Sequence, residues 1–251
     1  MGTLIIRLID ADPDLSLAAA LEAPGHADLG RDAGQLAGLG KDLGVKLTSS
    51  LEADSDVLID FSLPAGTLGV IDACIARKTP MIIGTTGIDE AGVRKIESAA
   101  KKVPVVFAPN MSVGVNLLFK LVGQVAAALG DDYDIEITET HHRFKKDAPS
   151  GTALGLAKSI CDATGKDLVS TLVHGRSGAC PRQAGEIGMH ALRVGDTVGE
   201  HGVHLGNLGE TVTLSHSAHT RDTFVRGALR AAAWVAGREA GLYSMQDVLF
   251  G

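Results

Sequence analysis

Three short apolar runs, DVLIDF (Asp56–Phe61), PMIIG (Pro80–Gly84) and VPVVFA (Val103–Ala108), are separated by two stretches of helical periodicity, Ala65–Arg77 and Glu90–Lys102. Runs so short and so uniformly apolar leave no polar face for water, so each must be covered on both sides. Strands joined through helices form βαβ units, and the crossover makes those strands parallel. The first part of the chain is therefore expected to be an α/β lobe built on a parallel sheet. LSLAAAL (Leu15–Leu21) and Val45–Thr48 read as further strands of that sheet, and GRDAGQLAGLGKD (Gly30–Asp42) as a glycine-rich surface loop.

After a helix at Val113–Ala128 the pattern changes. DIEITET alternates apolar and polar residues as a half-exposed strand does. From Thr171 to Ala218 the chain is rich in Gly, Thr, Val and His, with the alternating runs GMHALRV, HGVHLG and ETVTLSH. That pattern predicts a mainly antiparallel sheet with one open face. The amphipathic helix Asp222–Arg238 is expected to return to the first lobe. The boundaries that follow are a parallel-sheet domain at 1–112 with 217–251, and an α+β domain with an open mixed sheet at 113–216.

With 31 glycines and 4% aromatics among 251 residues, the composition suits an α/β chain with many tight backbone turns. The formal charge of −7 argues against a nucleic-acid or anionic-membrane partner. An anion site must then be a local basic cluster. Cys74, Cys161 and Cys180 are odd in number and form no C-x-x-C pair, which argues against a disulfide framework or structural zinc and for a reducing, cytoplasmic setting. The run LIIRLI is too short, and too interrupted by Arg7, for a signal core or a membrane span.

The densest polar cluster runs from Glu139 to Thr152, ETHHRFKKDAPSGT, between a strand and a helix. His141 and His142 beside Arg143, Lys145 and Lys146 should have lowered pKa values and place proton donors near an anion. Pro149-Ser150-Gly151-Thr152 at a helix start presents backbone amides and hydroxyls to a carboxylate or phosphate. Lys145 adds an ammonium proton. A solvated basic loop with Ser150 or Thr152 as an ordinary N-cap explains the same residues. No metal site is expected, since adjacent histidines point apart and no second pair stands at ligand spacing; the P-loop spacing is absent as well. Gly84-Thr85-Thr86-Gly87 follows a parallel strand, where open α/β sheets bind ligands. Ala108-Pro109-Asn110-Met111-Ser112 also leads from a strand into a helix, and Glu22 stands where a dinucleotide fold places an acid for a ribose. Each of these also has an ordinary reading, as a strand end, a helix cap and a surface carboxylate.

Taken together, these residues resemble the 4-hydroxy-tetrahydrodipicolinate (dihydrodipicolinate) reductase family. E-x-H-H-R-x-K-x-D-A-P-S-G-T-A is complete from Glu139 to Ala153. Further matches are Asp32–Gly38, Val57–Ser62, Gly84–Gly87, Asn110–Asn116, Val198–His201 and Arg221–Gly237. The resemblance implies a Rossmann-like domain, NADPH or NADH as cofactor, a small dicarboxylate substrate and a homotetramer. It implies His141 as the acid/base residue and Lys145 as the proton donor, with His142, Ser150, Gly151 and Thr152 at the substrate. Gly84, Thr85, Thr86 and Ala108, Pro109, Asn110, Met111 would meet the nicotinamide end. A truncated, non-catalytic dicarboxylate binder is the alternative, as is another nicotinamide-dependent dehydrogenase, against which D-A-P-S-G-T argues.

The family's first strand and its G-x-x-G-R-M-G turn are not in this sequence. Counting back about twenty residues from the ribose acid Glu22 reaches Gly2. Met1 and Gly2 then match the end of the turn and would lie at the pyrophosphate, and LIIRLI falls on the helix that follows. On this reading the first strand lies upstream of Met1, cofactor affinity suffers and neighbouring strands have unpaired edges. Ala23 stands where many relatives carry Arg, which makes a preference for NADPH less secure.

Overall fold

In the computed structural model, which describes Met1–Gly251 throughout, LIIRLI is helical: α1 spans Gly2–Asp10 and buries Ile5 and Ile6. Residues 15–19 carry no regular structure, and β1 is only Ala20–Leu21. The expected glycine loop contains a short helix, α2 (Ala33–Leu36). Asp32 starts α2, accepting the amides of Gly34, Leu43 and Gly44 at 2.8–2.9 Å. This carboxylate gathers a loop whose sequence offers little apolar surface, while Ala33 and Ala37 pack inward. β2 (Leu47–Thr48) pairs in parallel with β1.

The alternation of apolar runs and helical stretches then appears as β3 (Leu58–Asp60), α3 (Pro64–Arg77), β4 (Met81–Ile83), α4 (Glu90–Ala100) and β5 (Pro104–Phe107). Pro64 starts α3, where its missing N–H costs nothing. Asp89 caps α4 by accepting the Gly92 amide at 2.8 Å.

The second unit, Val113–Arg221, holds α5 (Val113–Leu129), β6 (Asp134–His141), α6 (Gly151–Thr164), α7 (Leu168–Thr171), β7 (Leu172–His174), β8 (Ile187–Arg193), β9 (Gly199–Asn207) and β10 (Glu210–Ala218). The chain then returns to the first unit, Met1–Ser112 with Asp222–Gly251, as α8 (Asp222–Val235), β11 (Gly241–Tyr243) and α9 (Met245–Phe250).

In the first unit the strand order is β11-β5-β4-β3, all parallel. Alternation along the strands decides which side chain meets which layer. Met81, Ile83 and Val105 pack on Ile71, Cys74 and Ile96 of α3 and α4. Ile82 and Val106 point the other way, onto Ala228, Ala231 and Val235 of α8. Both faces are covered, as the apolar strands required. β1 and β2 form a separate two-stranded sheet, and β3 is the end strand of the larger one.

The sheet of the second unit runs β10-β9-β6-β8-β7. It is more mixed than the alternating runs predicted: β6–β8 and β7–β8 are parallel, while β6–β9 and β9–β10 are antiparallel. The long connections through α6 and through 175–186 permit the parallel pairings. Ile135, Ile137, Val203 and Leu205 face Leu118 and Val122 of α5 and Leu156 and Ile160 of α6.

Candidate active site

In the first unit, parallel pairing brings the carboxyl ends of β3, β4 and β5 side by side. The Ala108 amide donates to the Ile83 carbonyl at 3.1 Å, so the two predicted cofactor loops are neighbours. Asp60, buried at the end of β3, accepts the Ser62 amide at 2.9 Å and the Thr85 hydroxyl at 3.3 Å. Thr85 is thereby held inward and Thr86 is exposed. Asn110 accepts the Ser112 amide at 2.9 Å, closing the turn after β5. Met111 and Ala108 are core side chains, so only their backbones could meet a ligand. Glu22 follows β1 in the other sheet, and its carboxylate accepts the amide of Ala23 at 2.8 Å. Met1 precedes α1, its carbonyl taking the first helical amides.

Gly84 is required by close approach. A Cβ there would lie 2.4 Å from Cε1 of Phe61, whose ring lies over the backbone. Gly84→Ala must expel that ring. The expected loss is about 1–3 kcal/mol, visible as a lower urea midpoint at unchanged slope. An unchanged midpoint would show that the ring does not hold the turn.

In the second unit the expected residues gather where β6 ends and α6 begins. Glu139 and His141 are two apart on one strand, so both project from the same face. His141 Nδ1 is 2.6 Å from Glu139 Oε2. Arg193, paired with His141 in the β6–β8 register, donates to both carboxylate oxygens of Glu139 at 2.8 and 2.9 Å. Ser150 is buried; its amide donates to Glu139 Oε1 at 3.0 Å, and its Oγ caps α6 by accepting the Ala153 amide at 3.1 Å. His201 Nε2 lies 3.0 Å from the same Oγ. Gly151 and Thr152 open the helix. Lys145 Nζ pairs with Asp147 at 2.9 Å, and the His142 ring lies 6.3 Å from that of Phe144.

Burial would raise the Glu139 carboxyl, but Arg193 and His141 outweigh it and hold it below the usual carboxylate range. His141 is pushed down, as expected, although the main cause is burial; Glu139 opposes the shift, and Lys145 and Arg193 add to it. The cation cluster alone was the wrong reason. Burial drives His201 down to about 4. Arg193 and His201 escaped the sequence reading. The signal for His201 is a polar residue in an inward register: 199, 201, 203 and 205 of β9 are all buried, and one of them is His.

A Rossmann-like α/β unit with two neighbouring loops at its strand ends, joined to a mixed-sheet unit with a buried Glu–His–Arg cluster at a helix start, defines the class: a two-unit α/β enzyme of oxidoreductase type. Family models described as the N-terminus and C-terminus of dihydrodipicolinate reductase match residues 1–111 and 114–249. The chain belongs to the dihydrodipicolinate reductase family. It is 50% identical to the 4-hydroxy-tetrahydrodipicolinate reductase of Thiobacillus denitrificans, over 99% of this chain and 94% of that one. It is 49% identical, with the same coverage, to that of Alkalilimnicola ehrlichii. A dipicolinate-bound dihydrodipicolinate reductase from Paenisporosarcina shares the fold, with a TM-score of 0.76 at 22% identity over 98% of this chain and 94% of that one.

Proposed function

We propose that this chain reduces 4-hydroxy-tetrahydrodipicolinate to tetrahydrodipicolinate, with loss of water and at the expense of NADH or NADPH, in lysine and diaminopimelate biosynthesis. The observation that carries the reading is the single cluster in which Glu139, His141, Ser150 and Arg193 meet the start of α6. A dianionic substrate suits a cationic group facing helix amides inside an otherwise acidic protein.

The first unit is read as the cofactor domain and the second as the substrate and assembly domain. A side-chain-free Gly84, an exposed Thr86 and the turn at Asn110 stand together at the strand ends, and they fit a flat nicotinamide ring. Gly84, Thr85, Thr86 and the backbone of Ala108–Met111 would hold it, with Glu22 at the ribose and Met1 and Gly2 at the pyrophosphate. When bound, the reduced nicotinamide supplies the hydride for C4.

The chain's own residues do the rest. Gly151 and Thr152 amides, with His142 and Ser150, hold the carboxylates. Lys145 protonates the 4-hydroxyl as it leaves as water, and His141 takes the proton that the ring carbon beside C4 gives up in that step. The negative charge that reduction at C4 places on the ring framework is quenched when His141 returns that proton, so the net uptake is one hydride and one proton. Free thiols at all three cysteines support a cytoplasmic setting. The row of exposed Thr211, Thr213, Ser215 and Ser217 on β10 offers a polar sheet face for homotetramer assembly, which sedimentation velocity reads.

The test is the purified chain with 4-hydroxy-tetrahydrodipicolinate and each reduced coenzyme, followed by loss of nicotinamide absorbance. Substrate-dependent oxidation is expected. None with either coenzyme would leave the dicarboxylate-binding alternative.

A further inference from the structure

Glu139 is 1% exposed and has no role in the chemistry above, yet three groups converge on it through four hydrogen bonds. Oε2 meets His141 Nδ1 and Arg193; Oε1 meets Arg193 and the Ser150 amide. Arg193 also donates to the Asp147 carbonyl at 2.6 Å. An ionised carboxylate only accepts hydrogen bonds. With Arg193 across it, Glu139 stays ionised, so the hydrogen shared with His141 must sit on Nδ1. Neutral His141 is then the Nδ1–H form, and Nε2 carries the lone pair. Space is kept at that atom: a Cβ on Gly199 would come within 3.1 Å of Nε2.

We propose that Glu139 is the positioning residue of the reaction, fixing the tautomer of His141 so that Nε2 is its working atom and tying that atom to the start of α6. This rests on reading His141 as the acid/base residue. The charge on Glu139 is what distinguishes the role from packing. The other ionisable groups around His141 are Arg193 on β8, His201 on β9, with ring centroids 5.2 Å apart, and Lys145 on the following loop. Two of these are cations that resist protonation of His141, and Glu139 alone favours it.

The experiment is nitrogen NMR of histidine-labelled full chain, wild type and Glu139→Gln, across a pH titration, with steady-state kinetics beside it. Wild-type His141 is expected to carry its neutral-state proton on Nδ1. In Glu139→Gln its titration should move to lower pH by about one unit or more, and turnover should fall by up to ~10²–10⁴-fold, the whole acid–base contribution. Glu139→Asp should keep the titration near wild type while losing rate. A wild-type Nε2–H form, or an unmoved titration in Glu139→Gln, overturns the proposal. If Glu139→Gln does not fold, the wild-type tautomer decides. A chain without reductase activity would sink the functional reading, while the NMR would still judge the tautomer.

Discussion

Lys145→Ala is expected to lower turnover by ~10²–10⁴-fold, the usual span of a positioned proton donor, while the melting temperature stays within a few degrees of wild type. The two halves of that expectation come from different observations. The Lys145 side chain is 20% exposed, and its ammonium pairs with Asp147, whose own side chain is 62% exposed, so the pair opens to solvent on one side. Removing it therefore costs little stability, because such surface pairs are worth about 0–1 kcal/mol. Its chemical neighbours are the His141 imidazole and Asp147, whose carboxyl it holds below the ordinary range. His141→Ala should behave similarly, since Glu139 keeps Arg193 and the Ser150 amide when the imidazole is gone. Coenzyme affinity measured by fluorescence should be unchanged in both. Near-normal turnover in both purified variants would sink the assigned roles.

The second large effect is acid sensitivity. His201 is 5% exposed and its pKa is depressed from 6.5 to about 4, mainly by burial. Between those values the unfolded chain binds a proton that the folded one refuses, so stability rises with pH through this window. Stability is thus complete above the unfolded value and is lost as pH falls from 6.5 towards 4, by about 3 kcal/mol for this group. His141 and His216 are shifted the same way and deepen the loss. Glu139 and Glu136, with lowered pKa values, add theirs only below the ordinary carboxylate range. The geometry agrees. Ser150 Oγ already accepts the Ala153 amide, so its own hydrogen is free for Nε2 of an unprotonated His201. Urea midpoints at pH 7 and pH 4.5 should differ clearly in wild type and much less in His201→Gln. Equal slopes in the two proteins would show that His201 is not the group responsible.

How much of this was legible beforehand depends on what each feature rests on. Apolar runs between helices dictated the parallel sheet, because Met81, Ile82 and Ile83 have no solvent side. The segment from Glu139 to Ala153 announced the site because its residues are contiguous. The helix α2 was hidden in a glycine-rich run, since it is held by one carboxylate, Asp32, rather than by apolar spacing. The parallel β6–β8 pair was hidden because alternation fixes a strand's faces and says nothing of its direction. Arg193 and His201 lie on separate strands, and only the register brings them to Glu139 and Ser150. LIIRLI stood at the limit of what periodicity can decide: its β-branched residues allow either form, and it is a helix with Ile5 and Ile6 inside.

Glu139 and the Ser150 amide are eleven residues apart in the chain, so the segment between them is clasped at its base. Entropy within such a loop is divided unevenly. The base is closed by the Ser150 amide on Glu139, between the end of β6 and the start of α6, while Phe144 at the tip is 78% exposed. Phe144 can change identity there without dragging the imidazole from its place, while Lys145 beside it stays tied to Asp147. Rigidity where protons move and tolerance where the loop meets solvent are thus set by one carboxylate.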